Sequence, residues 1–153
     1  MRFLIVTNTI YRGLDFVLRN LNSSIRQVKA EDGDILLIDQ NKILLDLPED
    51  ILKISNFKRI HYQVQTISQA RNFLLQWKNT SLYDWILFCD DDGYFCDDYI
   101  TRFKNICNQN PNLDAVAGGI MVHGTQKYYS PRHAIGGSMN LFNYKLLMGA
   151  NFA

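Results

Sequence analysis

Three short apolar runs, FLIV at residues 3–6, ILLI at 35–38 and WILFC at 85–89, each stop abruptly on polar residues, and amphipathic stretches fill the gaps between them. Runs of this length and composition suit strands buried on both faces of a parallel sheet. After the first run, Leu14, Val17, Leu18 and Leu21 recur at i, i+3, i+4 and i+7, one face of a helix. Asp32-Gly33-Asp34 turns the chain into the second run. Between 43 and 57 the pattern is ambiguous: Pro48 interrupts it, and Glu49–Leu52 suits one helical turn after a proline start. Arg59–Val64 alternates weakly, as a third strand would. Ala70, Phe73, Leu74 and Trp77 mark a second helical face, with Ser68 as its N-cap. Ile100, Phe103 and Cys107 mark a third, opened by Asp97-Asp98, whose charges suit a helix N-terminus. Ala115–Met121, with Gly118-Gly119 inside it, reads as a last strand. This alternation predicts an α/β fold in three layers, α/β/α, with a mostly parallel central sheet and right-handed crossovers. At 153 residues the chain makes one domain, 1–153, with an irregular loop region over 122–140 where no period is visible.

In parallel sheets ligands sit beyond the carboxyl ends of the strands. The residues to interrogate are therefore Thr7-Asn8-Thr9, Asp39-Gln40-Asn41 and Asp90-Asp91-Asp92. The last group raises a question of energy. Neighbouring carboxylates at roughly 6 Å and an effective dielectric near 20 repel by about 3 kcal/mol per pair. Water, backbone N–H groups, a cationic side chain or a metal must offset that. If the strand persists to Asp92, Asp90 and Asp92 share one face and Asp91 takes the other, which makes half a site for Mg2+ or Mn2+. The segment DDDG is equally a turn sequence, since Asp caps its own backbone and Gly takes positive φ. Asp39, ending another strand, and Arg71, near a helix start, favour the ligand reading, because a carboxylate can accept from a base or ribose and an arginine can fork onto phosphate.

A net charge of +1 advertises no nucleic-acid partner and no anionic membrane. Three cysteines, Cys89, Cys96 and Cys107, lack metal-ligand spacing and fit reduced thiols in a cytoplasmic protein. The apolar run of MRFLIV stops at Thr7, too soon for a secretory signal, and no stretch is long enough for a transmembrane segment. A peripheral place at the membrane stays open.

With these residues in order, the chain resembles the GT-A glycosyltransferases of the family 2 type over nearly its whole length. The resemblance rests on the polar turn Thr7-Asn8-Thr9, on LLIDQN, on SQARNFLL, on WILFCDDDGYFCDDYITRF, on DAVAGGI and on MGANFA. It implies a metal-dependent, inverting transfer of sugar from a nucleotide-diphosphate donor, a UDP-sugar first among them, to a glycan, lipid-linked or protein acceptor. Thr7, Asn8, Thr9, Asp39, Arg71, Asp90 and Asp91 would bind the nucleotide, with Asp90 at the ribose or the metal's water shell. Asp92, with Asp90, would hold Mn2+ or Mg2+, and Gly118, Gly119 and Asn151 would lie near the donor sugar. The family's acceptor-side base has no counterpart here, since no Asp or Glu follows Asp114. The expectation is a donor-binding part, incomplete at its C-terminus, with an exposed edge that predicts a homo-oligomer. A non-catalytic nucleotide-sugar-binding module is the second reading. A Mg-dependent phosphoryl-transfer or receiver-like domain is the third, ranked last because its first strand should end in acids rather than Thr-Asn-Thr.

Other polar and aromatic residues have plainer expectations. His123 and His133 could orient an acceptor or ligate metal but are more often simply hydrogen-bonded, and His61 reads as structural. Tyr128-Tyr129 could stack on a sugar; Trp77 and Trp85 should pack; Asp97-Asp98 should cap rather than bind a second ion.

Overall fold

The computed structural model describes residues 1–77, 79–116, 118, 121–125 and 127. Four parallel strands, β1 (Phe3–Thr9), β2 (Gly33–Asp39), β3 (Phe57–His61) and β4 (Trp85–Phe88), form one sheet in the order β3-β2-β1-β4. The helices are α1 (Leu14–Ala30), the single turn α2 (Glu49–Leu52), α3 (Ile67–Gln76) and α4 (Tyr99–Gln109), with a 3-10 turn at Thr80–Leu82.

Strand alternation sorts the core into two halves. Phe3, Ile5, Ile35, Leu37 and Leu87 face α1, α2 and α4, meeting Val17, Leu21, Ile25, Ile51, Ile100 and Phe103. Leu4, Val6, Leu36 and Ile38 face α3, meeting Ala70 and Leu74, with Trp77 packed at the margin. The sheet is thus covered on both sides, the three-layer α/β arrangement expected from the sequence. Trp85 packs edge-on against Phe103 at 5.1 Å.

Several local expectations shift. β3 begins two residues early, because Ile35 pairs with Phe57, and it stops at His61, where Val64 N–H turns back onto Tyr62. α3 is capped by Thr66, not Ser68: Thr66 accepts from Gln69 N–H while the Gln69 side chain accepts from Thr66 N–H. The apolar periodicity starts inside the helix, so it places the cap too late. Asp98 stands at the N-cap of α4 but makes no side-chain cap bond; its carboxylate pairs with Arg102 at 2.7 Å. The first turn is capped from another helix, since Gln27 Oε1 of α1 accepts from Ile100 N–H. The last predicted strand is absent at Ala115, Val116 and Gly118, and Met121 makes an isolated bridge. Glycine supplies no side chain to hold a strand, and Gly118 lies against the ring of Tyr99. Most of 122–140 lies outside the described residues.

All three cysteines are thiols, with Cys89 and Cys107 buried and Cys96 exposed. Burial pushes the Cys89 thiol up to about 12 and the Cys107 thiol up as well. Native protein at pH 8 is expected to release one equivalent of thionitrobenzoate rapidly, from Cys96, and the other two only on unfolding. Rapid release of all three would contradict this packing.

Candidate functional site

All four strands run the same way, so their carboxyl ends form one edge of the sheet. In register, Thr9 lies beside Asp39, and Asp39 beside His61. β4 ends three residues before β1 does, at Phe88 opposite Val6. The chain then leaves the sheet, and Asp90-Asp91-Asp92-Gly93 closes a turn in which Gly93 N–H donates to Asp90 O at 2.9 Å. The alternate-face arrangement expected for Asp90 and Asp92 therefore does not arise, because the extended backbone it requires stops first. Gly93 closes the turn without a positive φ.

Two arginines offset the carboxylate repulsion. Arg12 Nε lies 3.2 Å from Asp91 Oδ1 and its Nη2 lies 3.1 Å from Asp92 Oδ2. Arg71 Nη2 lies 3.4 Å from Asp90 Oδ1, with its guanidinium 4.8 Å from the centre of the Phe88 ring. Burial raises the Asp90 carboxyl above its ordinary range; Arg71 opposes the rise, and Asp92 and Asp91 add to it.

The neighbouring corner is knitted internally. Asp39 is fully buried: Oδ1 accepts from Asn41 N–H and from Asn41 Nδ2, and Oδ2 accepts from Leu45 N–H. Asn41 Oδ1 accepts from Tyr11 N–H at 2.7 Å, and Asn41 O lies 2.8 Å from His61 Nε2. Asp39 thus shapes the loop after β2 and, through Asn41, the loop after β1. Thr7 is also fully buried and donates to Asn20 Oδ1. By contrast, Thr9 Oγ1 and Asn8 Nδ2 have no partner among the described residues. They are the polar atoms of the β1 end that remain unspent.

Among the described residues no three acidic, histidine or cysteine side chains converge in the geometry of a metal cage. What the turn supplies is hard carboxylate oxygen, with Asp92 half-exposed. That donor set fits Mg2+ or Mn2+, which take most of their ligands from water and substrate phosphate. His123 does not join it; its Nδ1 is hydrogen-bonded to the Tyr94 hydroxyl. Gly118 faces Tyr99, while Gly119, Asn151, His133, Tyr128 and Tyr129 lie outside the described residues. A shallow depression of about 300 Å³, lined by Arg2, Asp34, Lys58 and Tyr83, lies at the opposite, amino end of the strands.

Residues 5–151 match the family model described as glycosyl transferase family 2. The chain belongs to glycosyl transferase family 2. No curated protein matches the sequence significantly. Among solved structures, this family 2 chain is similar to S. aureus TarS 1-349, at 18% identity and a TM-score of 0.62, over 83% of this chain and 38% of that one. It is similar also to the same TarS segment in complex with UDP-GlcNAc, at 18% identity and a TM-score of 0.61, over 82% of this chain and 36% of that one. The fold is that of the GT-A glycosyltransferases. The chain spans well under half the length of the TarS structure. No helix among the described residues is long and apolar enough to cross a membrane.

Sequence reading of this family 2 chain missed the residues that hold the acidic turn in place. Arg12 lies 79 residues away from Asp91 in sequence, and nothing in its spacing points to it. The second set left a signal. Asn20, Ser23, Ser24 and Gln27 fall at i, i+3, i+4 and i+7, a polar stripe that is buried on α1. Asn20 Nδ2 donates to Asp90 O and Gly93 O, Ser23 Oγ accepts from Phe95 N–H, and Gln27 Nε2 donates to Cys96 O and Asp97 O. The stripe replaces strand pairing for a segment that has left the sheet.

Proposed function

We propose that this chain is the donor-binding part of a metal-dependent glycosyltransferase that takes a nucleotide-diphosphate sugar, a UDP-sugar first. The observation that carries the reading is the acidic turn at the carboxyl edge of the sheet, flanked by two arginines, in a family 2 chain. The UDP-GlcNAc bound by TarS supports the choice of nucleotide.

In this reading Thr9 and Asn8 offer their unspent polar atoms to the nucleoside. Tyr11, strongly exposed beside them, offers an aromatic face on which a base can stack. Thr7 and Asp39 act one step back, by anchoring Asn20 and the 41–45 loop. Asp90 and Asp91 line the nucleotide's side of the turn, with Arg71 toward the phosphates. Asp92, with Asp90, would hold Mn2+ or Mg2+; when bound, such an ion supplies Lewis-acid stabilisation of the departing diphosphate. Gly118, Gly119 and Asn151 are assigned to the donor-sugar side, and the displacement is inverting. A second reading is donor binding without transfer.

Calorimetric titration of UDP with and without Mn2+ tests the shared part. Mn2+ is expected to tighten UDP binding, and Asp92→Ala to weaken the Mn2+-dependent affinity by about tenfold or more. Unchanged affinity in Asp92→Ala would remove the site assignment. Release of free sugar from UDP-GlcNAc, or its transfer, separates enzyme from binder.

A further inference from the structure

The loop carrying Arg12 is built in an unusual way. Tyr11, not a glycine, sits at φ 55°. A bulky side chain in the left-handed region persists only where its surroundings over-determine it. Here Asn41 Oδ1 accepts from Tyr11 N–H, and Asn41 is itself held by Asp39. The corner therefore dictates where residue 12 emerges, and it emerges over the acidic turn.

The contact that results is not the usual fork onto one carboxylate. The guanidinium spans two, using Nε for Asp91 and Nη2 for Asp92. Both Arg12 and Asp92 are exposed enough for water to reach the pair, at 41% and 51% of their side chains. An ion pair of that kind is screened and cheap to break. Asp91 is nearly buried, and its other oxygen accepts no hydrogen bond from a described residue, so the turn keeps spare acceptor capacity. A divalent cation is a stronger partner for carboxylate oxygen than a guanidinium is. A guanidinium is in turn well matched to phosphate.

We propose that Arg12 is an exchangeable counter-cation of the acidic turn. It neutralises Asp91 and Asp92 before metal arrives, yields Asp92 to the divalent ion, and then turns its freed guanidinium to the donor diphosphate. This rests on the function proposed above. It makes Arg12 a competitor of the metal and an ally of the nucleotide, so one substitution has opposite effects on the two ligands. A residue that merely props the loop would weaken both.

The test is Arg12→Gln, with Arg12→Lys as the conservative variant and circular dichroism as the check on folding. Free Mn2+ is followed by electron paramagnetic resonance in a titration without nucleotide, and UDP is titrated at saturating Mn2+. Arg12→Gln is expected to bind Mn2+ alone about threefold more tightly or better, and UDP about fivefold more weakly or worse. Arg12→Lys, which keeps the charge, should bind Mn2+ within about twofold of wild type and recover part of the UDP affinity. If wild type binds Mn2+ through Asp92 but Arg12→Gln binds it no more tightly, the exchange is wrong and the function stands. If wild type binds Mn2+ neither alone nor with UDP, both fall. Should Arg12→Gln not fold, equal Mn2+ affinity of Arg12→Lys and wild type together with UDP binding below wild type supports the exchange, and tighter UDP binding overturns it.

Discussion

Asn20→Leu is expected to lower stability by about 3 kcal/mol, because one buried amide is shared by three elements. Its Oδ1 accepts from the Thr7 hydroxyl of β1, and its Nδ2 donates to two carbonyls, Asp90 and Gly93, at the ends of the acidic turn. Leucine keeps the branched heavy-atom outline but is larger, so lost hydrogen bonding is joined by some overpacking at this fully buried site. It strands the Thr7 hydroxyl in an interior that water does not reach and takes the Asn20 partner from the partly buried Gly93 carbonyl; the Asp90 carbonyl keeps Gly93 N–H. For a domain of this size the melting temperature should fall by about 6–12 °C. Differential scanning calorimetry measures it. A variant melting within 2 °C or so of wild type, well inside that range, would mean that the α1 stripe contributes little. UDP affinity should fall with stability, since the turn is held to the sheet edge through this side chain.

The second large effect lies at the start of the sheet. Phe3 is fully buried and pairs in register with Gly33. A Cβ at Gly33 would lie 2.4 Å from Cε2 and Cζ of that ring. The ring is enclosed by core and cannot retreat. Phe3→Ala should cost about 3–5 kcal/mol for lost burial and the cavity left behind. Gly33→Ala should cost about 1–3 kcal/mol as overpacking. Together the two should cost less than their sum by about 1 kcal/mol or more, since the added methyl enters space the ring has vacated. Urea unfolding of the four proteins closes the cycle, and strict additivity would show that ring and glycine do not compete for the same volume.

Both predictions concern contacts of different legibility. Phe3 and the three runs that follow the same pattern could be read as buried strands from composition alone, because a strand covered on both faces must be apolar throughout. Trp85–Phe88 and its acidic tail were equally plain. Asp39, Arg71 and Asp90 were picked out by position at strand ends and helix starts, and the fold does gather them at one edge. The geometry at Asp90–Asp92 was not legible. Whether a strand continues or turns depends on whether a neighbour offers hydrogen bonds, and here β1 and α1 decide that, the latter through Asn20.

Local pattern determined what the segments up to α4 become, though not the run after it, where the strand expected at Ala115, Val116 and Gly118 does not form: period 2 or 3.6, a proline break and a polar stop are properties of adjacent residues, and they carry the layer order with them. Tertiary structure decided what neutralises the acids. Arg12 and Asp91 are 79 residues apart, and Coulomb attraction acts on distance in space, which no spacing along the chain encodes. The same holds for the Gln27 cap on α4 and the Asp39–Asn41–Tyr11 corner, each made by side chains whose partners are chosen only when the strands align.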